Sequence, residues 1–248
     1  MPAELASVRE FVYTVHKQWH KKWTLSTYNP MTTRSRKSTG AKAPRKTYRH
    51  GDLRRALLEA GVALAQAGGP EAVVLREATR RAGVVPNAAY RHFASHLDLL
   101  RAVRVVALSR LAQSMEKELA ALDASLPPAD FARGSLRAVG HGYLRFARRE
   151  TGLFRSIFSV AYDWPAPPDP AKAGDSGLNP YQLLGLALDR MVEAAVLPKE
   201  RRPGAEWLAW SAVHGFAMLS IEGPLRGLPV EPSEALGQRV VDMVERGL

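Results

Sequence analysis

Between Gly83 and Phe93 the chain reads Gly-Val-Val-Pro-Asn-Ala-Ala-Tyr-Arg-His-Phe, which sets an amide, a phenol, a guanidinium and an imidazole close behind a proline. Such groups hydrogen-bond base edges and grip phosphates. Arg76, Arg80 and Arg81 add positive charge just upstream. Pro86 suits the first turn of a helix, where its missing N–H is no loss, and Gly83 permits the left-handed backbone of a sharp turn. The spacing predicts a helix over 75–82, a tight turn, and a second helix over 86–93 of about two turns. Ala89 and Phe93, one turn apart, supply that helix with a core face and leave Asn87, Tyr90 and Arg91 pointing outward. A helix so short and polar is poor core material. It suits a DNA major groove, where its neighbours hold the backbone.

Catalytic chemistry has no comparable support. The chain lacks a glycine-rich phosphate loop with Lys-Ser/Thr, a His-Glu-x-x-His helix and a Gly-x-Ser-x-Gly elbow, so no enzyme and no cofactor are expected. It has no cysteine, which removes disulfides, thiolate metal sites and thiol nucleophiles. His141, His214, Asp189 and Glu193 could be assembled into a metal cluster, but such pairs occur routinely on solvated helix faces. A metal-binding helical protein is therefore a minor alternative. Another is a helix-turn-helix protein that coats DNA without sequence preference.

The elements that must position the polar set are helical. Leu53, Leu57, Ala60 and Leu64 recur at helical spacing until Gly68-Gly69-Pro70 stops the run. Ser95 can cap a long helix whose stripe is Leu97, Leu100, Val103, Ala107 and Leu111, running to about Leu122. Residues 1–104 hold 19 Lys/Arg against 7 Asp/Glu, whereas residues 105–248 hold 16 against 17. A basic N-terminal module on a near-neutral body points to a polyanionic partner. Residues 1–46 read as a disordered basic extension with Met31 as the physiological start. Its Arg34, Arg36, Lys37, Lys42, Arg45 and Lys46 suit phosphate tracking or a minor groove, and suit a solvated tail equally well. No stretch approaches the apolar length of a membrane span, so the expected address is the cytoplasm and no membrane partner is expected.

The ordering Leu53…Ala60, Leu75-Arg76-Glu77-Ala78, Ala82-Gly83-Val84, Ala89-Tyr90-Arg91-His92-Phe93 and Leu97…Leu100 resembles the N-terminal domain of TetR-family transcriptional regulators. The resemblance implies a three-helix DNA-binding domain over residues 47–98 whose third helix lies in the major groove. It implies phosphate contacts from Tyr90 and His92, and base contacts from Pro86, Asn87 and Ala88. Arg49, Arg76, Val85, Arg91 and His96 complete the expected DNA face. Val85 stands where the family commonly has Ser or Thr, and His96 where it commonly has Lys. The first departure removes a helix cap and a hydroxyl contact, each worth about 1 kcal/mol.

The body, residues 99–248, also reads as helices: 130–149 interrupted by Gly140 and Gly142, a short segment from Gly152 to Phe158, 178–197 ended by Pro198, 205–223, and 232–248. Asp163 to Asn179, dense in Pro and Gly, reads as a loop. The closing helix is built on Ala235, Leu236, Val240, Met243 and Val244. So much apolar surface on the last three helices suggests a second copy as partner. Trp210-Ser211-Ala212-Val213-His214-Gly215 is similar to the signature of the WHG class of TetR C-terminal domains. That class implies a homodimer joined through its last two long helices, and family members usually carry an inducer pocket. Tyr143, Phe154, Phe158, Met191, Trp210, His214 and Met218 are the candidate lining, with His214 and Tyr143 as polar anchors. Residue by residue, ordinary core is the favoured reading, and the pocket is kept on the family analogy.

The expectation is an all-α homodimer of about nine helices, with an N-terminal three-helix DNA-binding domain and a C-terminal dimerisation and ligand-binding domain. It would be a repressor released from its double-stranded DNA operator by a small apolar or amphipathic effector.

Overall fold

Local sequence accounts for most of the helix ends in the computed structural model, which describes residues 50–160 and 169–248. The extension over 1–46, the start at Met31 and the candidate Arg49 lie outside the described residues, as does the first part of the expected loop from Asp163. Helix α1, His50–Gly68, stops where Gly69 takes φ 77°, and a 3₁₀ turn follows over Pro70–Ala72. Helix α2 spans Leu75–Arg81 and α3 spans Pro86–Ala89, with Gly83 between them at φ 67° as a left-handed turn requires. Helix α4, His96–Ala120, opens with a reciprocal cap: the Asp98 N–H donates to Ser95 Oγ while the Ser95 N–H donates to the Asp98 carboxylate.

Two expectations for this half are corrected. The second helix of the motif is half the expected length: past Ala89 the chain tightens into a turn in which the His92 N–H bonds three residues back, at 2.9 Å, to the Ala89 carbonyl it shares with Phe93 N–H. Phe93 is thereby drawn into the core, only 2% exposed, with the Arg54 guanidinium 5.3 Å above its ring. Leu97 does not join the apolar stripe of α4. It sits in the first turn, 41% exposed, while Leu100, Val103, Ala107 and Leu111 are buried as expected.

In the body, α5 covers Pro128–Arg149, α6 Thr151–Phe158, α7 Pro180–Glu193, α8 Ala205–Ile221 and α9 Val230–Gly247. Two short 3₁₀ turns, Pro170–Lys172 and Lys199–Arg201, complete the described elements, and no strand occurs among the described residues. Gly140 and Gly142 do not interrupt α5. A Cβ on Gly142 would fall 2.4 Å from the Met115 Cα, so the glycine lets α5 press on the backbone of α4. Gly152 does the same for α6, where a Cβ would lie 1.9 Å from the Ala65 carbonyl oxygen of α1.

Helix α7 ends at Glu193 rather than reaching Leu197. Ala195 takes φ 55°, and the N–H groups of Val196 and Leu197 both close onto the Met191 carbonyl, which leaves Leu197 1% exposed. Helix α9 keeps part of its expected face: Val240 and Val244 pack against the core beside the buried Gly237 and Val241, whereas Ala235 is exposed and Met243 is 57% exposed. The core runs continuously from Leu53 in α1 to Val241 in α9, and α4 packs on both α1 and α5. No helix among the described residues is long and apolar enough to cross a membrane.

Candidate functional site

Two sets of predicted residues emerge at different places. On the first, Arg76, Val85, Asn87, Tyr90, Arg91 and His96 are exposed, and Ala88 and His92 are half-buried. Beneath them Ala89 and Phe93 are buried, so α3 is anchored on one side and presents polar groups on the other. Pro86 begins the helix. Val85 is the N-cap with no side-chain hydrogen bond to the first turn, and at 68% exposed it is an apolar patch in a polar face. Arg80 and Arg81 are both held by Glu77, at 2.7 and 3.2 Å. The hydrogen bond from Arg80, then that from Arg81, pulls the Glu77 carboxyl down to about 2. Arg76 and Arg91 make no ion pair among the described residues, which leaves their charge available to a polyanion.

The second set lies within the body. Tyr143 of α5, Phe154 and Phe158 of α6, and Trp210 and His214 of α8 converge into one aromatic cluster. Ring centroids are 5.3 Å apart for Tyr143 and Phe154, 5.3 Å for Phe154 and Phe158, 4.4 Å for Phe158 and His214, and 6.2 Å for Phe158 and Trp210. Phe154 is fully buried and Phe158 is 38% exposed, so the cluster reaches from the core to the surface. Met191 is buried on α7, and Met218 follows His214 by one turn of α8, half-buried. Neither shares in the ring contacts. Trp207, stacked 5.7 Å from Trp210 and 5.9 Å from Tyr181, extends the aromatic wall; sequence reasoning missed it, although it precedes Trp210 by one helical turn.

A directed hydrogen-bond chain runs through this cluster. The Trp210 indole Nε1–H donates to Tyr143 Oη at 3.1 Å, and Tyr143 Oη lies 2.8 Å from His214 Nδ1. Tyr143 is buried, and burial pushes its phenol well above the usual range, against the Trp210 hydrogen bond, so it stays protonated. Its own proton therefore needs an acceptor. Among the described residues only His214 Nδ1 serves, and the opposite polarity would strand a buried O–H at a cost of about 1–3 kcal/mol. Burial also holds the His214 imidazole below its usual range, in keeping with a neutral ring. Neutral imidazole accepting at Nδ1 carries its proton on Nε2. That N–H has no partner among the described residues and stays accessible.

Other features bear on alternatives. The metal candidates His141, His214, Asp189 and Glu193 are not brought together as a ligand set: Asp189 pairs with Arg202 at 2.7 Å, and no group of three or more His, Cys, Asp or Glu among the described residues could hold a metal. A cavity of about 670 Å³ opens between α4, α5, α8 and α9, lined by Glu118, His141, Leu144, Phe216, Ile221 and Leu228 among others. None of the clustered aromatics lines it. Arg155 of α6 joins Glu71, at 2.9 Å, to Glu222 at the end of α8, at 2.6 Å. Sequence pattern carries no signal for such a bridge, since its three members are far apart in the chain.

Comparison with known proteins finds one family model, described as bacterial regulatory proteins of the tetR family, matching residues 57–103. A second, described as a tetracyclin repressor-like C-terminal domain, matches residues 136–244. Among solved structures, a protein of unknown function from Rhodococcus sp. RHA1 is 24% identical, with a TM-score of 0.62 over 82% of this chain and 99% of its own. The TetR family transcriptional regulator PfmR from Thermus thermophilus is 20% identical, with a TM-score of 0.49 over 77% of this chain and 98% of its own. At such identities the Rhodococcus likeness speaks to the fold alone. No curated protein matches the chain.

Proposed function

Because the chain belongs to the TetR family of bacterial regulatory proteins, which are DNA-binding regulators rather than enzymes, we propose that it is a homodimeric repressor released from its operator by a small apolar or amphipathic molecule. The observation that carries this reading is the pairing of an exposed polar α3, anchored by Ala89 and Phe93, with a partly exposed aromatic cluster in the same chain. Pro86, Asn87 and Ala88 would face bases, while Arg76, Val85, Tyr90, Arg91, His92 and His96 would lie against the backbone, with Arg49 of the preceding segment. The exposed apolar residues of α8 and α9 would meet a second copy. Two recognition helices would then sit about one DNA turn, roughly 34 Å, apart.

Release would follow from α6. Its Phe154 and Phe158 belong to the aromatic cluster, its Gly152 is pressed on α1, and its Arg155 reaches Glu71 beside the DNA-facing helices. A ligand seated against Phe158 would favour a body conformation that shifts α1 and α4 and changes the separation of the recognition helices. Effector and operator would weaken each other by the same factor.

Selection from a random duplex library with the full chain tests the reading. A partly palindromic site bound by a dimer, with a specificity ratio of roughly a thousand or more over random duplex, is expected. Nearly equal affinity for every duplex with one steep salt dependence would replace it by the DNA-coating alternative.

A further inference from the structure

The arginines around the DNA-facing helices fall into two classes, and the inference drawn from them rests on the reading that this chain binds duplex DNA. We propose that Arg54 of α1, a residue outside the face set out above, grips a DNA phosphate beside α3 and is held ready for it by the Phe93 ring. Arg55, Arg80, Arg81 and Arg101 each face a carboxylate of their own helix: Glu59 at 3.7 Å, Glu77 at 2.7 and 3.2 Å, and Asp98 at 3.1 Å. Their charge is matched locally, and the last three already donate N–H groups to those carboxylates. Arg54 is exposed and, like Arg76 and Arg91, makes no ion pair among the described residues. Yet it is not loose, because its guanidinium carbon lies 5.3 Å from the centroid of the Phe93 ring.

That ring fixes where the charge sits. Phe93 follows His92 in the turn that closes α3, and it is only 2% exposed. Helix α1 packs on α3, so Arg54, next to the buried Leu53, reaches over the ring at the end of α3 that carries Tyr90, Arg91 and His92. A cation held over an aromatic face uses none of its hydrogen-bond donors. The N–H fork of Arg54 therefore stays open to two oxygens of one phosphate, a geometry that a guanidinium matches and an ammonium does not. Ordering the side chain in advance also lowers the entropy lost on binding. Because Arg54 belongs to α1 rather than to the helix that enters the groove, the backbone and not a base edge is the group in its reach.

The test measures binding of the full chain to the selected operator and to a random-sequence duplex over a series of salt concentrations, with Arg54→Met, Arg54→Lys and Arg55→Met beside the unsubstituted chain. Methionine still covers the Phe93 ring but has neither charge nor donors. Arg55, about 100° further round α1, supplies the same loss of charge one residue away. Arg54→Met should bind both duplexes about tenfold more weakly, and its slope of log affinity against log salt should fall by about 0.9 per protomer bound. Arg54→Lys should keep the slope and lose about threefold in affinity, while Arg55→Met should keep both. In the unsubstituted chain, the Arg54 guanidinium N–H resonance, assigned by its absence from Arg54→Lys, should shift and exchange more slowly with water once the random-sequence duplex is added. No such change overturns the contact whatever the folding of the methionine variant. An unchanged slope in a folded Arg54→Met overturns it too, and an equal fall in Arg55→Met assigns the effect to the general field instead. A new sequence preference of Arg54→Met in a repeat of the library selection would move Arg54 to a base and overturn the phosphate assignment. If the unsubstituted chain binds neither duplex, the DNA reading itself falls, and this proposal with it.

Discussion

The α2–α3 face and the α8–α9 face both leave large side chains in solvent, yet for opposite chemical reasons. Around α3 the exposed set is Tyr90 at 57%, with Asn87, Arg76, Arg91 and His96. These groups are well hydrated, so exposure costs little, and they gain when a polyanion replaces water and counterions. On α8 and α9 the exposed set is Leu208 at 65%, Leu219, Val230 and Met243. Leu208, Ala212, Gly215 and Leu219 fall along one side of α8 at helical spacing, a pattern that usually faces a core or a partner. Burying such surface is worth about 25 cal/mol per Å². Exposure alone therefore says little about function, and the chemical type of the exposed set says a great deal.

The strongest way to break the comparison is Leu208→Glu together with Met243→Glu. If the second face joins two copies, sedimentation should find monomer, and operator affinity should fall by about a hundredfold or more as the two half-sites lose their linkage. A charged variant that remains dimeric with full affinity would show that the interface lies elsewhere. Substitutions on the first face should be milder and should sort by role. Tyr90→Phe and His92→Ala should each weaken binding to all duplexes by about fivefold, in line with a lost phosphate hydrogen bond of about 1 kcal/mol. Asn87→Ala should instead change the preferred sequence in a repeat of the library selection. Equal, sequence-independent losses from all three would remove Asn87 from the base-facing set.

Val85 offers a gain. Val85→Thr supplies the absent cap at an exposed N-cap position and should raise stability by about 0.5–1 kcal/mol in urea unfolding. An unchanged midpoint would mean that the first turn of α3 is already satisfied by water. The smallest effect concerns pH. Burial holds His214 below its usual range, and it does so for His141 against the opposing pull of Glu118 and Asp242. The unfolded chain takes up those protons more readily than the folded one. Stability is accordingly full above about pH 6.5 and declines as pH falls through the folded values, so the melting temperature should be lower near pH 5 than near pH 8. His214→Gln should reduce that difference, and no reduction would mean that His141 dominates.

Much of the helical frame can be read along the chain because its punctuation is local. Gly83 takes the positive φ expected of it, Ser95 caps α4, and α1 ends at Gly68 as the Gly-Gly-Pro stop requires. Periodicity is a weaker guide where a helix has two apolar sides. In α9 the expected face contains Ala235 and Met243, but the close approach of Val241 to Gly140, where a Cβ would lie at 3.0 Å, turns Gly237 and Val241 inward instead. In α7 the apolar run continues to Leu197, and only the left-handed Ala195 ends the helix early.

The order of helices, the turn at Gly83, the polar composition of α3 and the family resemblance are all written in the chain, because each depends on residues within a few turns of one another. Packing between distant helices settled the rest: how glycines read as interruptions became contact points, which of several aromatics share one cluster, and which way its hydrogen bonds run. Tyr143, Trp210 and His214 could be chosen from the chain as candidates. The polarity of Trp210 to Tyr143 to His214 could not, because it depends on which buried proton finds an acceptor, and that follows only from distances between α5 and α8.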